Sequence, residues 1–252
     1  FVAFEVRIPT TPDLAGSEGP LPAFERLRDI LPIIGPPQIM IDVKVEGGAP
    51  PAIMPGPLRI LDRRRVLSAL IGPNAIIIEN SDYERYEAFI EVVERTLRAV
   101  TETASIAGME RVGLRYIDEI RVPGLTRARE WHGYISPALL GPLELDEEFE
   151  AVGLSGMTEY RLSDEHAANV RFGARVGRVV EPSGPLRVTP VEDGPFFLVD
   201  IDSFWTAPEA ETPEFSPEAV LETCAQLRRP IRALFEAAIT DKLRDEVLRR
   251  AP

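Results

Sequence analysis

Arginine and aspartate residues recur on three predicted strands of this 252-residue chain, and they are the side chains best suited to bind a charged ligand. A guanidinium presents a rigid fork of N–H donors that can hold a carboxylate or phosphate in bidentate fashion. Aspartates on the same strands could orient such a ligand. The predicted ligand-binding or partner-binding residues are Arg115, Asp118, Arg171, Arg175, Asp200 and Asp202.

The same charges admit two other interpretations. If helices cover the apolar face of the sheet, the opposite face collects mixed charges that pair across strands in water, each pair contributing roughly 0.2–1 kcal/mol. In the remaining interpretation, that face contacts a partner protein through the same arginines. The residues expected on it are Glu5, Arg7, Asp42, Lys44, Glu46, Arg111, Arg115, Glu119, Arg171 and Arg175.

Asp200 and Asp202 also resemble a metal-binding pair, since residues two apart on a strand direct their carboxylates to one side. Two neighbouring carboxylates repel each other unless a cation or an arginine lies beside them. Arg171 and Arg175, on a predicted neighbouring strand, are the simpler partners. We therefore predict neither a metal nor a cofactor.

The sequence offers little for nucleophilic catalysis. Its only histidines, His132 and His166, lack the spacing of a metal site or a catalytic triad. Its only cysteine, Cys224, falls on the apolar stripe of a predicted helix, which is typical of an inert core thiol. No glycine-rich phosphate loop occurs. These observations favour a non-enzymatic protein.

Composition limits the partners. A net charge of −13 and a pI near 4.8 argue against general electrostatic attraction to nucleic acid. No apolar run of membrane-spanning length occurs, so we expect no membrane association. The single cysteine precludes an intrachain disulfide, and a reducing cytoplasm is the simplest setting. The expected partner is a second copy or another protein, with a small anionic ligand as the alternative.

The strands that must position these residues are marked by alternating polarity. Glu110 to Pro123, ERVGLRYIDEIRVP, has the period of two expected of a long central strand. Gln38 to Glu46 is a shorter strand with the same alternation. Gly156 to Leu162 and His166 to Val176 predict a hairpin, and Phe196 to Trp205 predicts a strong strand.

Two long amphipathic helices accompany the strands. The first is predicted over Tyr83 to Thr103. The second is expected to begin after an N-cap at Ser216, to run to about Arg249 and to bend at Pro230. Together the elements predict an α+β domain with a mostly antiparallel sheet in two pseudo-equivalent lobes, each with a long helix packed on one face. Lobe 1 would cover about residues 1–123, and lobe 2 about residues 124–252.

Four stretches together resemble a sporadically distributed family of conserved hypothetical bacterial proteins of about this length. They are Tyr83 to Phe89, Arg111 to Ile120, Leu198 to Phe204 and Ile231 to Leu243, and the GLRY strand is the most specific of them. The resemblance implies a bacterial, cytoplasmic protein of one unit. It carries no activity or catalytic residue, and the family's patchy distribution suggests an accessory role such as defence.

Our first functional hypothesis is therefore a non-enzymatic interaction protein that works as a homodimer or within a small complex. Its contact surface would be the charged sheet face or the long C-terminal helix. The alternative is an enzyme or sensor that holds a small anion between the lobes, with Arg115, Arg171 and Arg175 as the clamp. Asp118, Asp200 or Asp202 would then orient the anion.

Overall fold

The computed structural model of this protein describes residues 1–36, 39–42, 52–145, 148–179, 185–189 and 192–249. The strands are β1 (Val2–Arg7), β2 (Ile33–Ile34), β3 (Ile39–Asp42), β4 (Ala52–Pro55), β5 (Leu58–Leu61), β6 (Leu67–Ile71), β7 (Ala75–Asn80), β8 (Arg111–Ile120), β9 (Gly156–Arg161), β10 (His166–Gly177) and β11 (Gly194–Thr206). The α-helices are α1 (Leu21–Leu27), α2 (Tyr86–Thr101), α3 (Pro137–Leu140), α4 (Pro217–Ala238) and α5 (Asp241–Leu243).

Nine of the strands form an antiparallel sheet in the order β2-β5-β6-β7-β1-β8-β11-β10-β9. The predicted α+β class and the mostly antiparallel sheet are confirmed. Strands β3 and β4 form a separate two-stranded sheet. Asp42, predicted on the charged face of the main sheet, instead ends β3 in the small sheet. Lys44 and Glu46 lie outside the described residues.

Contacts divide the chain into two compact units, and neither is one continuous stretch. Unit 1 comprises Phe1–Gly113, Pro182–Val188 and Thr206–Cys224. Unit 2 comprises Leu114–Glu181, Thr189–Trp205 and Ala225–Pro252. The predicted equivalence of two lobes that meet at residue 123 stays a prediction.

The core of unit 1 follows directly from the alternation of its strands. Val2, Phe4 and Val6 of β1 are fully buried, and Phe4 lies opposite the buried Ile78 of β7. Helix α2 buries a stripe of residues that includes Phe89 and Val93, as its 3.6-residue spacing predicts. Its first residue, Tyr86, comes later than the predicted start at Tyr83.

Unit 2 contains the predicted hairpin and the predicted strong strand. Strand β10 pairs with β9 on one side and with β11 on the other, antiparallel in both cases. Trp131 and Phe197 are both buried, and their rings lie 5.5 Å apart at a tilt of 55°. These large side chains form part of the apolar core under β11.

The C-terminal helix begins as predicted and ends earlier. The Ser216 hydroxyl accepts the N–H of Ala219 at 3.1 Å, which confirms the N-cap, and α4 continues through Pro230. Helix α4 ends at Ala238, so the prediction of one helix to Arg249 was wrong. Ile239 bridges to Ile135, and the N–H of Thr240 donates to Tyr134 O at 3.0 Å. This pairing requires extended backbone, which interrupts the helix.

Candidate binding site

Three of the six predicted site residues come together in unit 2. They lie on β8, β11 and β10, which are consecutive in the sheet. Arg171 of β10 lies directly opposite Asp200 of β11 in the antiparallel register. Arg115 of β8 reaches the same carboxylate. We call Arg115, Asp200 and Arg171 the Asp200 cluster.

The Arg115 guanidinium binds Asp200 with both of its parallel donors. Its Nε donates to Oδ1 at 2.7 Å, and its Nη2 donates to Oδ2 at 2.6 Å. The Nη1 of Arg171 lies 3.7 Å from Oδ2, which is an ion-pair distance rather than a hydrogen bond. Arg171 and Arg175 were the predicted arginine partners of the pair formed by Asp200 and Asp202. Arg171 does lie beside Asp200, but the arginine that binds Asp200 in bidentate fashion is Arg115.

Burial within the cluster is uneven. The Asp200 side chain is only 5% exposed, whereas those of Arg115 and Arg171 are 41% and 42% exposed. The carboxylate therefore sits beneath two arginines whose guanidinium groups still meet solvent. Hydrogen bonding to Asp200, and the negative charges of Asp200 and Asp202, raise the pKa of Arg115 despite its partial burial.

Asp202 and Arg175 flank the cluster. Asp202 lies opposite Asn169 in the β10–β11 register, and its charge acts on Arg115. Arg175 lies opposite Phe196 and is exposed. Since successive residues of a strand alternate between faces, Arg171 and Arg175 share one face but stand four positions apart, too far for both to hold Asp200.

Asp118 stands apart from the arginines. By strand alternation it belongs to the face of β8 that carries the buried Val112 and Leu114, opposite to Arg115. Burial raises the pKa of the Asp118 carboxyl to about 6, and the negative charge of Asp200 acts in the same direction. The predicted role of Asp118 in orienting a ligand beside the arginines stays a prediction.

A second group of charges lies at the end of β8, and none of its members was among the six predicted site residues. Arg121 Nε donates to Glu119 Oε1 at 2.6 Å, and Arg121 Nη2 donates to Gly177 O at 2.5 Å. The N–H of Val179 donates to Glu119 Oε2 at 2.8 Å, and the Arg121 guanidinium lies 5.4 Å from the Phe196 ring. These contacts anchor the end of β10. The opposite charges of Glu119 and Arg121, two residues apart on one strand face, were the sequence pattern that could have predicted this ion pair.

Unit 1 holds a comparable cluster on β5, β6 and β7. The Nη1 of Arg59 donates to Glu79 Oε2 at 2.5 Å and to Ser68 Oγ at 2.9 Å. The Ser68 hydroxyl also donates to Glu79 at 3.1 Å. Here the arginine side chain is 11% exposed and the glutamate 26%. We call these three residues the Arg59 cluster.

The other candidates for chemistry are occupied by structural contacts. Cys224 is fully buried, and burial raises the pKa of its thiol to about 12, although a hydrogen bond with Tyr86 opposes this. His132 lies 2.8 Å from Glu144, and His166 Nδ1 lies 3.1 Å from the Ser163 hydroxyl. Among the described residues, no group of His, Cys, Asp or Glu side chains has an arrangement that could hold a metal.

A cleft of about 430 Å³ lies elsewhere in unit 2. Its walls are Arg127, Arg129, Glu130, Glu148, Phe149, Glu150 and Ala151, and no predicted site residue is among them. The walls carry both signs of charge.

None of the helices within the described ranges is long and apolar enough to cross a membrane.

Comparisons with known proteins give no match to a protein-family model, to a curated protein or to a solved structure.

Proposed function

We propose that this chain is a non-enzymatic binding protein of a bacterial accessory system, which acts through a dimer or a protein complex. Its contact surface is the sheet face of unit 2 around the Asp200 cluster. The observation that carries the proposal is the uneven burial of that cluster, with Asp200 buried and Arg115 and Arg171 about two-fifths exposed.

This arrangement suits a protein partner because it presents charges that are already fixed in place. The bidentate contact to Asp200 orients the Arg115 guanidinium, so little side-chain entropy is lost when a partner binds it. Arginine is also enriched where protein interfaces derive most of their binding energy. The carboxylates of Asp200 and Asp202 offset the two positive charges, so the surface does not favour anions in general.

The test is native mass spectrometry of the protein purified from its own host, as wild type and as two charge-reversal variants. Arg171→Glu alters the sheet face, whereas Arg232→Glu alters an exposed arginine of α4, which is the other predicted contact surface. We expect a dimer or complex that is lost in Arg171→Glu and retained in Arg232→Glu. A monomer without any partner would contradict the proposal, and loss in Arg232→Glu alone would move the surface to the helix.

One observation favours the alternative of a small anionic ligand. The contact of Arg171 to Asp200, at 3.7 Å, is an ion pair without a hydrogen bond, so the N–H donors of Arg171 are not committed to that carboxylate. Calorimetric titration with inorganic phosphate tests this alternative. Arg171→Gln should then abolish binding without unfolding the chain, because the bidentate pair of Arg115 and Asp200 remains. Equal phosphate binding by the wild type and this variant would reject it.

A further inference from the structure

Strand β9 forms one edge of the nine-stranded sheet. It has six residues and no proline, and all of them except Gly156 are exposed. Within the described ranges, no strand pairs with its outer side. The large hydrophobic side chains of Met157, Tyr160 and Leu162 are exposed on or directly after it. An edge strand of this length offers unpaired N–H and C=O groups to another chain.

Hydrogen bonds at both ends of β9 show which residues face its neighbour. The N–H of Leu154 donates to Ala174 O at 3.1 Å, and that of Leu162 donates to His166 O at 2.9 Å. Both pairs follow the register in which Arg161 lies opposite Ala167. Antiparallel strands exchange hydrogen bonds at every second residue. The even-numbered residues therefore bond to β10, and Met157, Glu159 and Arg161 direct their N–H and C=O groups outward.

We propose that β9 pairs antiparallel with β9 of a second copy of this chain, around a two-fold axis at Tyr160. Glu159 then lies opposite Arg161 of the second copy, and Arg161 lies opposite its Glu159. This inference rests on the proposed function, which calls for a dimer or complex. It names a second copy as the partner and adds a contact along the edge of β9, next to the sheet face that carries Arg171.

The charges select this register over its neighbours. Outward-facing residues must lie opposite outward-facing residues to form hydrogen bonds. The two-fold axis must therefore pass through a residue of β9 and not between two residues. An axis at Glu159 or at Arg161 places that charged residue directly opposite the same residue of the second copy, and two like charges destabilise strand pairing. An axis at Thr158 pairs neither charge with the other. The axis at Tyr160 forms two ion pairs and brings the two tyrosines together at the more closely spaced, non-hydrogen-bonded position.

A second copy fits this edge better than an unrelated peptide. Charged side chains on an edge usually discourage pairing. Here Glu159 and Arg161 flank Tyr160 symmetrically. A two-fold axis at Tyr160 therefore pairs each of these charges with the opposite charge of the second copy. Glu159 lies opposite Asn169 in the β9–β10 register and Met157 opposite Arg171, so both belong to the face of β10 that carries Arg171. The paired charges would extend the face that holds the Asp200 cluster.

The experiment measures the oligomeric state of the full chain by sedimentation velocity, up to about 100 µM, where even a weak dimer is populated. The variants are Glu159→Arg, Arg161→Glu and the double exchange of the two residues. Each single reversal places like charges opposite each other twice and should weaken the dimer about tenfold or more. The double exchange restores both ion pairs in reversed order and should restore the dimer.

Hydrogen exchange gives a second readout at single residues. Raising the protein concentration should slow exchange of the N–H groups of Glu159 and Arg161, which would bond across the axis. The N–H of Tyr160, which already bonds to β10, should change little. Protection that follows no alternation along β9 would contradict strand pairing.

Two outcomes of sedimentation would overturn the inference. A wild-type chain that stays monomeric over the whole concentration range has no β9 dimer. A dimer that persists in both single reversals uses another surface, and the proposed function would then stand without this interface. Strand β9 occupied by a different protein, with Glu159→Arg and Arg161→Glu showing the same affinity for it, would also reject the two-fold register. The Arg171→Glu comparison tests the proposed function separately.

Discussion

The Asp200 cluster and the Arg59 cluster use the same side-chain chemistry with burial reversed. In unit 2 the carboxylate of Asp200 is buried and its two arginines are exposed. In unit 1 Arg59 is the more deeply buried partner, and Glu79 has more than twice its exposed fraction. Each buried charge depends on its partner, because an isolated charge out of water carries a large desolvation cost.

This difference in burial distinguishes charges that are used within the fold from charges that a partner can contact. The Nη1 of Arg59 already serves both Glu79 and the buried Ser68, so it is occupied within its own sheet. Arg115 and Arg171 share one carboxylate and keep a face toward solvent. A partner can therefore reach the arginines of the Asp200 cluster without breaking the contacts that stabilise unit 2.

The largest expected effect comes from removing an arginine above the buried carboxylate. Arg115→Met should lower the free energy of unfolding by about 3 kcal/mol, because it leaves Asp200 buried with only the distant contact to Arg171. Asp200→Asn should cost only about 1 kcal/mol, since the two exposed arginines remain hydrated. Urea denaturation of both variants measures the difference. Equal losses would mean that burial does not decide which partner matters.

The second effect concerns the carboxyl of Asp118 in unit 2, which belongs to the face of β8 opposite to Arg115. Its pKa is raised from 3.8 to about 6, so the folded state binds its proton more tightly than the unfolded state does. This group leaves stability unchanged below pH about 4, lowers it progressively from about 4 to about 6, and keeps it lowered above pH 6. The full shift corresponds to about 3 kcal/mol. Because Asp118 is only partly buried, solvent screens part of this energy, and Asp118→Asn should stabilise the protein by about 2 kcal/mol at pH 7.

Unfolding curves at pH 4 and pH 7 provide the check for Asp118. The wild type and Asp118→Asn should have similar stability at pH 4 and should diverge by pH 7. Other carboxyls titrate in both proteins, so their contributions cancel in the difference. A gap that is the same at both pH values would show that the substitution acts through packing and not through ionisation.

The smallest expected effect concerns the Arg59 cluster of unit 1, where the order of burial is the reverse of that in the Asp200 cluster. Glu79→Gln should cost about 1.5 kcal/mol, because it removes the charge that compensates the buried Arg59. Arg59→Met should cost less, since the more exposed Glu79 can be hydrated. The order of the two losses, acid above base, is the reverse of that expected at Asp200. The same order in both clusters would refute the account based on burial.

Local sequence patterns predicted most of the elements. The alternation around β9, β10 and β11 and the N-cap at Ser216 depend on neighbours within a few residues, so the sequence is sufficient to recognise them. The end of α4 depends on a distant segment. Ile239 and Leu243 continue an apolar helical pattern. Between them, Ile239 pairs with Ile135 and the N–H of Thr240 donates to Tyr134 O, and these strand-like contacts replace the helical hydrogen bonds.

The candidate site shows the same division. Alternation placed Arg115 on one face of its strand and Asp200 and Asp202 together on one face of theirs, since side chains of a strand point to opposite sides in turn. It could not distinguish Arg115 from Arg175 as the partner of Asp200, because that depends on register. The antiparallel register places Arg175 at Phe196 and Arg171 at Asp200.

The sequence by itself determined the residue types, the faces they occupy along each strand and the net acidic charge, because these follow from order along one chain. Only the tertiary structure decided which strands are neighbours, that Asp200 is buried beneath two arginines, and that β9 forms an edge with Glu159 and Arg161 facing outward. Burial and register arise from contacts between segments far apart in sequence. Local alternation carries no information about which segment will supply the neighbour.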